Sequence, residues 1–193
     1  AQVELLTGLF HLARGEYDKA IQACSLCLAA DPDQVHALVN RGIAGRCLGG
    51  TGMREAEEDL TAALERAPAD RSVAAPALLN RALVRMSLGK TLSAIADFTR
   101  LVDLPELEPH ERVPALLFRA LCHMERGNFE AAITDNTEVL HLDPKNLQAL
   151  LNRGVCFVQR YQFDKGLADL STAAAFEPND PRLLCKLYVF RAL

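Results

Sequence analysis

The sequence predicts an all-α chain of stacked antiparallel helix hairpins. Three observations carry this prediction. Ala and Leu dominate the 193 residues, Val and Ile are sparse, and no stretch alternates apolar with polar as a half-buried strand would. A block of 34 residues recurs: Pro32 closes 1–34, Pro144 closes 113–146 and Pro178 closes 147–180. Small residues return in phase within each block, as Gly8, Gly42, Ala82, Ala120 and Gly154 at position 8 and as Ala20, Ala56, Ala94, Ala132 and Gly166 at position 20.

Each block resolves into two helices. Helix A covers positions 1–14. Position 15 is Gly15, Gly89 or Gly127, which tolerates turn geometry, with Tyr161 as the exception. Helix B covers positions 17–30 and stops before the Pro, because the residue preceding a Pro is pushed away from helical angles. Tyr17, Phe129 and Phe163 open three of the B helices. Small residues at positions 8 and 20 let the two helices approach closely. A single hairpin cannot bury its apolar face, so neighbours must stack.

The blocks follow in order along one array, 1–34, 35–70, 75–108, 113–146 and 147–180. The second carries two extra turn residues, within LGGTG at 48–52, and RSVA at 71–74 joins it to the third. The third lacks the closing Pro and runs into LPELEPHERVP at 104–114, so irregular stacking is expected around 103–112. Residues 181–193 read as a capping helix, started by Asp180 and Pro181, because Tyr188 stands where every block has Gly or Ala. The other reading is a truncated sixth block. The chain begins inside a helical pattern, as a piece of a longer protein would.

These features resemble the tetratricopeptide repeat (TPR) family, which shares the 34-residue period, the small residues at 8 and 20 and the Pro at 32. The resemblance spans the whole chain and implies a right-handed α-solenoid. It also implies a protein-interaction scaffold that holds a partner segment in a concave groove lined by the A helices.

Arginine recurs at position 7 as Arg41, Arg81, Arg119 and Arg153, and aspartate at position 23 as Asp59, Asp97, Asp135 and Asp169. The first block has Thr7 and Ala23, lacking both charges together. Pairing within each block leaves no orphan, whereas pairing with the next block sets Arg41 against Ala23 and Asp169 against Leu187. Four ion pairs between helices A and B are expected, since a planar guanidinium can grip a carboxylate through two hydrogen bonds. The alternative is an arginine ladder for acidic ligands, which the matched aspartates disfavour.

The resemblance places the peptide-binding residues at position 6 of helix A, here Asn40, Asn80, Phe118 and Asn152, with Met86 and Met124 at position 12. A side-chain amide has both a donor and an acceptor, matching a peptide unit. The competing assignment is solvated or internally bonded Asn and core-packed Met. The family's carboxylate clamp for chaperone tails needs Lys and Arg at positions 2, 5 and 6. No window supplies them: the first reads Leu5, Leu9, Asn40, Pro76 and Asn80.

Net charge is −4, which disfavours a phosphate-tracking nucleic-acid surface. No apolar run reaches membrane-span length, and the N-terminus lacks the basic region and cleavage site of a signal peptide. Six scattered Cys read as reduced core residues of an intracellular, cytoplasmic protein, with a nuclear location left open. Cys24 and Cys27 form a CxxC late in a B helix, at core positions rather than at the helix N-terminus a redox pair needs. No zinc spacing, phosphate loop or catalytic constellation is evident, so neither enzyme activity nor a cofactor nor a metal is expected. A second possibility is a structural module that self-associates through its terminal helices.

Overall fold

The computed structural model describes residues 1–176. These form ten helices: α1 (Gln2–Ala13), α2 (Tyr17–Ala30), α3 (Val35–Leu48), α4 (Gly52–Arg66), α5 (Arg71–Ser87), α6 (Thr91–Val102), α7 (Pro109–Glu125), α8 (Phe129–Leu142), α9 (Leu147–Gln159) and α10 (Phe163–Phe176). No strand occurs among the described residues. The readings made of 181–193 lie outside them.

The chain divides into two compact units after Pro105. In the first, α1–α2, α3–α4 and α5–α6 are hairpins, each B helix packs on the next A helix, and the A helices α1, α3 and α5 touch in succession. In the second, α7–α8 and α9–α10 are hairpins, α8 packs on α9, and α7 touches α9.

Two A helices begin earlier than the repeat blocks. Residues 71–74, read as a joining segment, are the first turn of α5, because Asp70 caps it by accepting the Ser72 backbone N–H at 2.9 Å. Likewise, α7 starts at Pro109 behind a capping box formed by Glu108 and Glu111. The irregularity expected around 103–112 is confined to 103–108, where Glu106 takes a left-handed φ of 56°.

Turn chemistry follows the sequence at most junctions. Gly15, Gly89 and Gly127 adopt φ of 71°, 70° and 73°, and Tyr161 holds the same left-handed turn at 59°. Close approach explains the small residues at positions 8 and 20. A methyl at Gly154 would lie 3.0 Å from Leu170 Cγ and 3.2 Å from the Gly166 carbonyl oxygen. Bulkier side chains fill the space between these contacts. Leu60, Phe98 and Leu170 on the B helices are wholly buried at position 24.

Candidate functional site: the arginine clasps and the A-helix face

Helix periodicity sets Arg and Asp at facing positions of the second to fifth hairpins, and all four pairs are bidentate. Arg41 Nε and Nη2 donate to Asp59 at 2.8 and 2.7 Å. Arg81 donates to Asp97 at 2.9 and 2.6 Å, Arg119 to Asp135 at 3.0 and 2.7 Å, and Arg153 to Asp169 at 2.7 and 2.8 Å. All four aspartates are buried. The hydrogen bonds to Asp59 hold the Arg41 guanidinium above its ordinary pKa, outweighing the opposite pull of burial.

A further partner went unread in the sequence. Arg41 Nη1 also donates to Ser25 Oγ at 3.2 Å, Arg81 Nη1 to Thr61 Oγ1 at 3.1 Å and Arg153 Nη1 to Thr137 Oγ1 at 3.2 Å. Each hydroxyl belongs to the B helix of the preceding hairpin. The signal was present, because position 25 is Ser25, Thr61, Thr99, Thr137 and Ser171 in the five blocks. One guanidinium therefore binds its own hairpin through the carboxylate and its neighbour through the hydroxyl.

The third hairpin extends this clasp. Arg85 Nη1 donates to Asp97 at 2.7 Å and its Nε to Glu57 on α4 at 3.0 Å, while Lys90 Nζ reaches Glu57 at 2.6 Å. Burial alone would raise the Glu57 pKa, but the hydrogen bonds from Lys90 and Arg85 bring it below the usual carboxylate value.

The proposed ligand-holding residues occupy three different environments. Asn40 is half-buried, and its amide has no protein partner among the described residues. Asn80 is buried, its Oδ1 accepting from Arg46 Nε at 2.8 Å and its Nδ2 donating to the Pro76 carbonyl at 2.8 Å. Asn152 is buried as well. Its Oδ1 accepts from Gln148 at 2.7 Å, and its Nδ2 lacks an acceptor among the described residues. Met124 packs against the buried cluster of Ala120, Ala132 and Cys156, whereas Met86 and Phe118 are half-buried.

Around Asn40 the A-helix face of the first unit is apolar. Leu6 and Leu9 of α1 are 62% and 50% exposed; half-buried Ile43 and Leu83 match Leu9 on α3 and α5, and half-buried Met86 follows Leu83 by three residues on α5. Such a face can take up an apolar segment, with polar groups placed to orient it.

Burial pushes the Cys24, Cys122 and Cys156 thiols up to about 11, and Cys27 Sγ donates to the Ala1 carbonyl at 3.2 Å. No group of three His, Cys, Asp or Glu side chains suited to a metal ion occurs among the described residues. No helix among them is long and apolar enough to cross a membrane.

Five sequence blocks folded as helix hairpins define a helical-repeat solenoid, the class of protein that works as an interaction scaffold. The profile of the tetratricopeptide repeat family matches residues 79–146 and 119–181, and the chain belongs to that family. No curated protein matches the sequence. Among solved structures, the fold is similar to a MamA protein (TM-score 0.79, 20% identity, 92% of this chain and 91% of that one). It is similar to a tetratricopeptide repeat protein from Parabacteroides merdae (TM-score 0.81, 22% identity, 99% and 73%). It also resembles YrrB, described as a TPR protein with an unusual peptide-binding site (TM-score 0.79, 18% identity, 95% and 89%).

Proposed function

We propose that the chain is a protein-interaction scaffold whose A-helix faces bind a segment of a partner protein. The observation that carries this reading is the exposure of Leu6 and Leu9 beside Ile43, Leu83, Met86 and the unengaged amide of Asn40. The peptide-binding site described for YrrB, a protein of similar fold, supports it. Asn40 is the amide placed to meet a peptide backbone, and Asn80 acts behind it by holding Arg46. The second unit presents its own A face, with Phe118 and the half-buried Leu121, Leu151 and Val155. An array of synthetic peptides, probed with the full chain and with Leu6→Glu and Asn40→Ala, tests the proposal. Both variants should weaken capture. Capture unchanged by either would overturn it.

One observation favours a second reading, self-association through α1. Position 3 is wholly buried as Ala37, Ala77, Ala115 and Ala149, but Val3 is 73% exposed. Position 10 is wholly buried as Ala44, Val84, Cys122 and Cys156, but Phe10 is 56% exposed. This face of α1 is apolar and exposed, and a second copy would cover it. Light scattering across a concentration series decides: growth in mass that Phe10→Glu abolishes supports the reading, and a concentration-independent monomer sinks it.

A further inference from the structure

Position 12 of helix A is apolar in four blocks, as Leu12, Met86, Met124 and Val158, and in the second block it is Arg46. Arg46 is half-buried on the same face as Leu9, Ile43 and Met86. Five other arginines of the first unit meet carboxylates, Arg14 with Glu16, Arg41 with Asp59, Arg66 with Asp33, Arg81 with Asp97, and Arg85 with both Glu57 and Asp97, whereas Arg54 and Arg100 are exposed and meet none among the described residues. Arg46 meets none among the described residues. Its protein partners are neutral, the Asn80 amide oxygen at 2.8 Å and the Cys47 sulfur at 3.4 Å.

This is an oriented cation with spare donors. A guanidinium has five N–H groups, and the two contacts occupy one on Nε and one on Nη2. Asn80 cannot swing away freely, because its own Nδ2 is tied to the Pro76 carbonyl. The tether fixes the plane of the fork and leaves the Nη1 side available. An uncompensated charge in an apolar setting favours an anionic partner, and a carboxylate matches the fork in both geometry and sign.

The geometry points to Arg46 as the specificity-determining residue of the first unit's face, selecting an apolar partner segment that carries one Asp or Glu side chain. This rests on the A-helix face being the binding site. The carboxylate would accept the remaining Arg46 N–H groups while flanking apolar side chains lie on Leu6, Leu9, Ile43 and Met86. Asn80 is a positioning residue, acting through the guanidinium it orients.

The test uses the full chain and capped peptides of mixed Leu, Ala and Ser with one central Glu, Gln or Lys, so that no terminal carboxylate competes. Glu peptides should bind roughly tenfold more tightly than their Gln counterparts. Arg46→Met should erase that preference yet still retain apolar peptides, and Arg46→Lys should keep part of it. Asn80→Ala should reduce the preference with helical content unchanged by circular dichroism. Equal binding of Glu and Gln peptides by the parent chain, or a preference that survives Arg46→Met, would overturn the assignment while leaving the face as a binding site. Failure of every peptide to bind overturns the assignment and the face together.

Discussion

Replacing Asp97 with Ala is the sharpest test of what the clasps contribute. Asp97 accepts three N–H groups, two from Arg81 at 2.9 and 2.6 Å and one from Arg85 at 2.7 Å, and its side chain is 2% exposed. Without it, Arg81 keeps only the Thr61 hydroxyl and remains buried, while Arg85 keeps Glu57. An uncompensated buried charge costs about 3–5 kcal/mol. Asp169→Ala should cost less, about 1–2 kcal/mol, because Arg153 stays 21% exposed and can turn towards water. Urea unfolding followed by hydrogen exchange gives the comparison hairpin by hairpin, which matters because repeat arrays depart from two-state behaviour. A double-mutant cycle with Arg81→Met isolates the pairwise part. A cost for Asp97→Ala below about 1 kcal/mol, a coupling near zero, or a larger loss for Asp169→Ala would refute the reasoning.

Three further outcomes are expected. Tyr161→Gly should stabilise the second unit by about 1 kcal/mol in denaturant titration, since Tyr161 holds a φ of 59° that glycine adopts without strain. Alkylation of the native protein, mapped by mass spectrometry, should reach half-buried Cys47 before buried Cys24, Cys27, Cys122 or Cys156. Burial lowers the His123 pKa from 6.5, with Arg119 and Arg126 adding to the fall and Asp135 opposing it. The unfolded state therefore takes up the proton first as pH drops, so stability is full above about 6.5 and declines through the lower folded value. A thermal midpoint that falls between about pH 7 and pH 5 should lose part of that slope in His123→Gln.

The fold was legible because each hairpin repeats one physical solution. Gly154 and Leu170 show it most plainly: a residue without a side chain faces a large one, and the same register holds Gly42 against Leu60. The reach of Arg41, Arg81 and Arg153 to a hydroxyl at position 25 was less legible, because Ser and Thr on a helix usually need no partner beyond their own backbone. The asparagines were harder for a different reason. Asn40 and Asn80 share a register, but whether an amide is offered outward depends on its neighbour. Arg46 stands one turn from Asn40's helical neighbours yet spends its Nε on Asn80, and no periodicity announces that choice. The starts of α5 and α7 were missed because Asp70 and Glu108 cap before the repeat's own count begins.

The double attachment of Arg41, Arg81 and Arg153 gives the hairpins that carry them two distinct ends. Every block carries a hydroxyl at position 25 of its B helix, and every block after the first carries an arginine at position 7 of its A helix. A duplicated hairpin therefore arrives with both halves of its fastening, one to receive the next unit and one to reach the last. The first block, with Thr7 and Ala23, has only the receiving half. In the language of a polymer, each hairpin is a monomer, and lengthening by whole hairpins can proceed without any new junction chemistry.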